Sequence, residues 1–202
     1  MIQCFRSSVL KLYDNYGKQL EMKVLYLILG MIGISGCSTG ATHFTKLETV
    51  REVDLNKYAG DWYEIARIDH WFQKGCVNSM ATYNIRKDGD VDVINKCKMD
   101  TADGKDKKAI GRAWVVDQAS NAKLKVQFPL RAIKLPFLAG DYWIIELDEA
   151  YQFVMVGEEK REYLWILSRS KVMPEEKLKA LVFKAKNMGF PVDKLIYTGQ
   201  QS

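Results

Sequence analysis

The stretch SMATYNIRKDGDVDVINKCK (residues 79–98) consists of two β-rich runs on either side of an Asp-Gly pair. Asp-Gly between such runs is the strongest short-range signal for a β-hairpin, because glycine takes the positive φ that a tight turn demands. Segments of the same kind lie on both sides. GDWYEIARI (60–68) precedes the hairpin as a strand, behind a short helical turn at 54–58. KKAIGRAWVVD (107–117) and AKLKVQF (122–128) follow it. GDYWIIELDEAYQFVMVGEEKREYLWILSRS (140–170) holds three more strands, with turns near Asp148-Glu149 and at 158–160. Eight strands joined by local connections predict a mainly β protein, an antiparallel up-and-down β-barrel able to hold a small molecule.

After the strands, VMPEEKLKALVFKAKNMGF (172–190) predicts one α-helix. Pro174 suits its first turn, and Glu175 and Glu176 lie at the positive end of its dipole. Leu178, Leu181, Val182 and Ala185 form one apolar stripe, which the outer wall of a barrel can cover. Gly189 is placed to end the helix. VDKLIYTGQ (192–200) adds a short final strand.

The segment MKVLYLILGMIGISGCSTG (22–40) carries a separate signal. Its apolar run of about 13 residues is shorter than the roughly 20 of a spanning helix. One lysine ahead of it and small residues behind it make it a signal-peptide core. Ile34-Ser35-Gly36-Cys37 resembles the bacterial lipobox, which implies cleavage before Cys37 and lipidation of its thiol. Residues 1–21 are mixed and polar, with Asp14 and Glu21, so translation is expected to begin at Met22. The alternative is a long leader removed with the rest. The expected organisation is a signal region at 1–36, a lipid-anchored tether at 37–52 and a barrel domain at 53–202.

Charge and motif content exclude several functions. Removing residues 1–36, with four basic and two acidic side chains, lowers the net charge from +5 to +3. That balance is mild and no nucleic-acid motif accompanies it. Beyond Cys37, Cys76 and Cys97 remain, and an exported chain with an even pair is expected to form a disulfide. Geometry complicates this pairing. A turn at Asp88-Gly89 sets Cys97 opposite Met80, four residues from Cys76, so the chain must fold back before that strand. The only histidines are His43 and His70. No metallopeptidase, nucleophile-elbow or P-loop motif is present, so no enzyme activity, cofactor or metal is expected. Haem would have only His70 as a realistic axial ligand.

Gly60-Asp61-Trp62, Gly140-Asp141-Tyr142 and Arg169 in YLWILSR occur in this order, with a helix and ninth strand after them. In these motifs the chain resembles the lipocalins from about residue 52 to the end. GDWYEIARIDHWFQKG (60–75) and YLWILSR (163–169) are similar to the bacterial lipocalins, outer-membrane lipoproteins of the Blc type. The resemblance implies a lipocalin barrel that binds fatty acids, such as palmitate, or lysophospholipids in a general cavity. It also implies a cell outer membrane location on the periplasmic face, and Ser38 lacks the aspartate that would argue for inner-membrane retention. The cysteine pair is not shared by all members.

Alternation along each strand then places side chains. Trp62 is expected to plug the narrow end beneath the Arg169 guanidinium, by cation–π stacking. Leu167, Trp165 and Tyr163 share the Arg169 face and point inward, as do Glu64 and Ala66 on the Trp62 face. Glu64 then needs a partner, since a lone buried charge is costly. Arg112 is the candidate, if Ile110, Arg112 and Trp114 face inward; a tyrosine, a water or a bulge is the alternative. Such a pair would hold a lipid head group, with the tail along Trp165, Tyr163 and Tyr142. His70, Trp71 and Phe72 lie on the first loop, over the mouth. The apolar loop at 129–140, with Arg131 and Lys134, either dips into a bilayer, forms a homodimer contact or folds over the barrel. The expected function is storage or transport of lipid for envelope maintenance. The alternative is an envelope protein-interaction module with no lipid cargo.

Overall fold

The computed structural model describes residues 45–128 and 130–200, so Cys37 and the signal-like segment lie outside it. A short helix, α1 (Leu55–Tyr58), is capped by the Asp54 carboxylate, which accepts from the Asn56 and Lys57 amides. Eight strands follow: β1 (Gly60–Ile68), β2 (Cys76–Ile85), β3 (Val91–Met99), β4 (Asp106–Val115), β5 (Lys123–Gln127), β6 (Gly140–Leu147), β7 (Phe153–Gly157) and β8 (Leu164–Ser168). Each pairs antiparallel with the next, and β1 pairs with both β8 and β2, which closes the barrel. The loops at 69–75, 100–105, 128–139 and 158–163 join strands at one end, the mouth. α1 and the turns at 86–90, 116–122 and 148–152 form the other end, the floor.

Helix α2 (Glu175–Asn187) follows β8, and β9 (Leu195–Tyr197) pairs with β1. Gly189 has φ +89°. Its amide donates to the Lys186 carbonyl, and that of Phe190 to Ala185, which completes a Schellman motif. Leu181 and Ala185 of α2 are buried against the outer wall with Ile65, Ala66, Met155 and Ile166. The second apolar cluster lies within the barrel and includes Trp62, Tyr83, Val93, Leu124, Ile144 and Leu167. Among the described residues, the strands that close the barrel, both clusters and the disulfide lie within one compact unit.

Strand β1 contains the irregularity that matters most. Glu64 pairs with Leu167, but Ala66 pairs with Ile166, so Ile65 is an extra residue. The bulge reverses the alternation. Trp62 and Glu64 point inward, and so does Arg67, whereas Ile65, Ala66 and Ile68 face α2. The inward placement expected of Ala66 is therefore corrected. β2 pairs with the start of β1 and β9 with its end. Between them, Gln200 Nε2 donates to the carbonyls of Glu64 and Ser79, each at 2.8 Å, and so bridges β1 to β2.

The β2–β3 hairpin settles the cysteine geometry. Ile85 pairs with Val91, which leaves a five-residue turn, and a bulge between Val77 and Met80 shifts the register again. Cys76 comes opposite Met99, diagonal to Cys97, and the two form a disulfide with a Cα–Cα distance of 5.4 Å.

The expectation that Arg112 and Trp114 face inward is overturned. Ala113 pairs with Val91 and joins the interior cluster, so its neighbours Arg112 and Trp114 point outward. The inner face of this strand is small because the Phe128 ring, at the end of the neighbouring strand, lies over Gly111. A Cβ on Gly111 would meet the Phe128 ring at 2.5 Å. The outer face is large because loop 128–139 folds back over it. Gln127 anchors that loop by donating to the carbonyls of Leu130 and Ile133 and accepting from the Leu135 amide. Lys134 reaches Asp90 at 2.9 Å, and Arg112 joins the same carboxylate at 2.5 Å.

The floor is latched as expected. The Arg169 guanidinium lies 3.9 Å from the Trp62 ring centroid. It donates to the carbonyls of Asp61 (2.8 Å), Lys57 (2.7 Å), Tyr58 (3.1 Å) and Tyr151 (3.2 Å). Trp62 Nε1 donates to the Tyr58 carbonyl at 2.8 Å. Gly60 has φ +93°, and a Cβ there would approach Arg169 Nη1 to 3.4 Å. Arg169→Met keeps the bulk and removes the donors. It should cost about 2 kcal/mol and lower the thermal midpoint by roughly 4–8 °C. A midpoint within 1 °C of wild type would show that the latch does not hold the floor.

Candidate ligand-binding site

The deepest part of the interior is built by three tyrosines from three elements. Tyr58 ends α1, Tyr83 lies on β2 and Tyr142 on β6. The Tyr142 hydroxyl lies 2.7 Å from that of Tyr58 and 2.8 Å from that of Tyr83. Burial raises all three pKa values, Tyr83 to about 12 and the other two well above their ordinary value. The void beside them is about 10 Å³ and has Val93, Ala113, Leu124 and Ile144 in its wall. A larger concavity, about 430 Å³, is an open groove outside the barrel that involves Leu178, Val182, Phe183 and Tyr197.

Above the tyrosines, on the β1–β8 side, aromatic rings close the interior. Tyr163 and Trp165 stack at 6.1 Å between centroids. His70 stacks on Phe72 at 3.6 Å and meets the rings of Trp165 and Tyr163 at 5.2 and 5.6 Å. Trp71 points away and is 83% exposed. One residue ties this lid to the wall. Gln73 Oε1 accepts from Trp165 Nε1 at 2.9 Å, while Gln73 Nε2 donates to Glu64 Oε2 at 2.7 Å.

Glu64 has a buried partner, but it is Arg67 at 2.6 Å rather than Arg112. Thr198 also donates to Glu64, at 2.7 Å. Arg67 further donates to the carbonyls of Gln73 and Cys76. In a regular strand, residues 64 and 67 lie on opposite faces; the bulge at Ile65 brings them together. No sequence signal announced that bulge. Tyr83 is inward because Ala81 pairs with Trp62 and alternation carries Tyr83 to the same side, a register that only the structure supplies. Gln73, Thr198 and Gln200 carry no motif that marks them.

Of the residues expected around the ligand, Trp165, Tyr163, Tyr142 and Glu64 face the interior, and His70 and Phe72 close over it. Arg112 and Trp114 are on the outer wall, and Trp71 is outside the lid. Asp141 lies on the outer face, paired with Lys125 at 2.7 Å. Loop 128–139 takes the third of its expected courses, folding over the barrel, while Leu130, Ile133, Phe137 and Leu138 remain exposed. Among the described residues no group of His, Cys, Asp and Glu side chains could hold a metal ion.

A closed eight-stranded barrel with an Arg-latched tryptophan at its floor, aromatic rings at its mouth and one helix outside defines a lipocalin. The family model for the lipocalin-like domain matches residues 53–200, and the chain belongs to the lipocalin family. It is 36% identical to the outer membrane lipoprotein Blc of Vibrio cholerae over 181 residues, covering 89% of this chain and all of that one. It is 39% identical to temperature-induced lipocalin-1 of Arabidopsis thaliana over 163 residues, 79% of this chain and 86% of that one. Among solved structures, insecticyanin of the tobacco hornworm Manduca sexta matches with a TM-score of 0.58 at 18% identity, covering 76% of this chain and 84% of that one. That likeness concerns the fold.

His70 makes the lid sensitive to pH. It is 7% exposed, and neither ring nitrogen has a hydrogen-bond partner among the described residues. Burial, and then the Arg67 charge, lower its pKa from 6.5 to about 4, with Asp69 offsetting part of the shift. Between those values an opened loop binds a proton that the closed loop refuses. Closure is therefore strongest above pH 6.5 and weakens as pH falls toward 4, by up to about tenfold per unit. Titration of the His70 ring by NMR should show an inflection well below 6.5, together with faster amide exchange in loop 69–75 than in a His70→Leu control. An inflection near 6.5 with an unchanged loop would contradict this account.

Proposed function

We propose that this lipocalin is a lipid-anchored protein of the outer membrane, on its periplasmic face. It binds a fatty acid or lysophospholipid inside the barrel and stores or carries it for envelope maintenance. The observation that carries this reading is the aromatic mouth under a small, separately fastened lid. Tyr163, Trp165, Phe72 and His70 offer ring surface to an acyl chain, and two side-chain hydrogen bonds of Gln73 hold the lid down. The void of about 10 Å³ at the floor is far below the several hundred Å³ of a drug-sized site. Loading therefore requires loop 69–75 and the rings beneath it to move, which is motion on the scale expected of a lid.

The course of the chain supports a membrane source for the cargo. The Thr45 carbonyl accepts from Arg161 Nη2 at 2.6 Å, beside the β7–β8 turn at the mouth end. From there the segment descends the barrel, with the Val50 and Val53 amides donating to Ile144 and Ser120. Cys37 lies eight residues before Thr45, which allows a reach of at most about 29 Å. If Cys37 carries the anchor, the tether joins the domain at its mouth end and keeps that end near the membrane.

Fluorescence titration of residues 38–202 with palmitate and with a lysophospholipid tests the reading. Saturable binding is expected, weakened about tenfold or more in Trp165→Ala. Arg112→Ala, on the outer wall, should stay within twofold of wild type. Flat titrations in a folded protein would remove the carrier reading. The exposed apolar flank of Leu130, Ile133, Phe137 and Leu138 would then favour the protein-interaction module.

A further inference from the structure

We propose that the floor of the barrel is an acceptor site, where the Tyr58, Tyr142 and Tyr83 hydroxyls receive the oxygen-bearing end of an elongated apolar ligand. The cargo then enters polar end first. This deepens the lipid-binding reading above and rests on it.

Each phenol has one hydrogen to donate. Two hydroxyl–hydroxyl contacts, at 2.7 and 2.8 Å, use two of the three hydrogens. The third has no acceptor among the described residues, whichever way the chain of hydroxyls is oriented. It is left at the edge of a void walled by Val93, Ala113, Leu124 and Ile144. A buried donor without an acceptor is costly, so the floor gains from any ligand that brings one. The void, about 10 Å³, is on the scale of a single water or oxygen.

The electrostatics favour the same end. Burial holds the three phenols protonated, so they act as neutral donors through the physiological range. No carboxylate borders the void. The Arg169 charge acts on both Tyr58 and Tyr83 from behind Trp62, and its guanidinium donates to the Tyr58 carbonyl. The Glu64 charge acts on Tyr83 in the opposite sense, so what the site offers is its hydroxyl donors rather than a net positive field. A carboxylate or carbonyl oxygen fits that chemistry, since hydrogen bonds to a charged form favour it against burial. A methyl terminus would leave the third hydrogen unpaired. The outward turn of Arg112 removes the head-group site expected nearer the mouth, and Arg67 is already engaged with Glu64, Gln73 and Cys76.

Direction of entry is measurable with residues 38–202 and octadecanoic acid carrying a nitroxide near its methyl end. Polar-end-first binding places the label at the mouth, so it should broaden the Trp165 indole N–H resonance and spare the Ala113 methyl. Tyr142→Phe should weaken binding of dodecanoic acid about tenfold. It should leave dodecyltrimethylammonium, which has the same chain and no acceptor, within twofold. Tyr58→Phe serves as a second isosteric probe, and thermal unfolding checks that both variants remain folded. Broadening of Ala113 instead would overturn the proposal while leaving the carrier reading intact. So would an unchanged acid affinity in both variants, which would mean that a water takes up the third hydrogen. Absence of any lipid binding would overturn the carrier reading and this proposal together.

Discussion

The contact between the Arg169 guanidinium and the Trp62 ring is the one on which the rest of the barrel depends. It joins the end of β8 to the start of β1, strands more than a hundred residues apart in sequence. An up-and-down barrel gains most of its contacts between neighbours, but its closure has to be secured by this distant pair. The guanidinium suits the task because its planar fork stacks on the indole while its edges donate to four carbonyls. A lysine offers neither the plane nor the fork. By holding the Lys57 and Tyr58 carbonyls, the latch fixes α1 across the floor, and that in turn sets the Tyr58 ring beside Tyr142 and Tyr83. The base of the cavity is thus a consequence of how the barrel is closed.

Much of this was legible in the sequence. Asp88-Gly89, the alternating runs and Pro174 with its stripe of Leu178, Leu181 and Ala185 act locally, through turn geometry and periodicity. The strand order and helix follow from them, whereas the Trp62–Arg169 latch was legible through the resemblance of its motifs to the lipocalins. What was not legible depended on register. In β1 a single extra residue, Ile65, carried Ala66 to the outer face and brought Arg67 beside Glu64. In β2 a bulge beside Asn78, whose φ is +49°, and a longer turn together moved Cys97 within reach of Cys76. Neither bulge has a glycine to mark it.

Arg112 shows a different limit. On β4 the larger residues, Ile110, Arg112 and Trp114, alternate with Ala109, Gly111 and Ala113, and size alone suggests that the large set faces the core. From Ile110 to Val115 the strand is in fact covered on both faces. Its inner face must be small because Phe128 occupies the space in front of Gly111. Its outer face is covered by loop 128–139, fastened through Gln127 and the Asp90–Lys134 pair. Alternation identifies the two faces of a strand, but it identifies the inner one only when the other face meets water.

Stability is distributed unevenly between the two ends, and the distribution suits a container. At the floor, Trp62 is fully buried and its latch makes several mutually supporting hydrogen bonds. At the mouth, the ion pair of Glu64 and Arg67 belongs to the wall and takes a further hydrogen bond from Thr198 that does not involve the lid. The lid itself is fastened chiefly by Gln73 and ring packing. The wall also reaches the loop directly, since Arg67 donates to the Gln73 carbonyl and Lys107 to the Phe72 carbonyl. A lid fastened separately from the strands that close the barrel can open without loosening them, which is the property that reversible uptake of an apolar ligand requires.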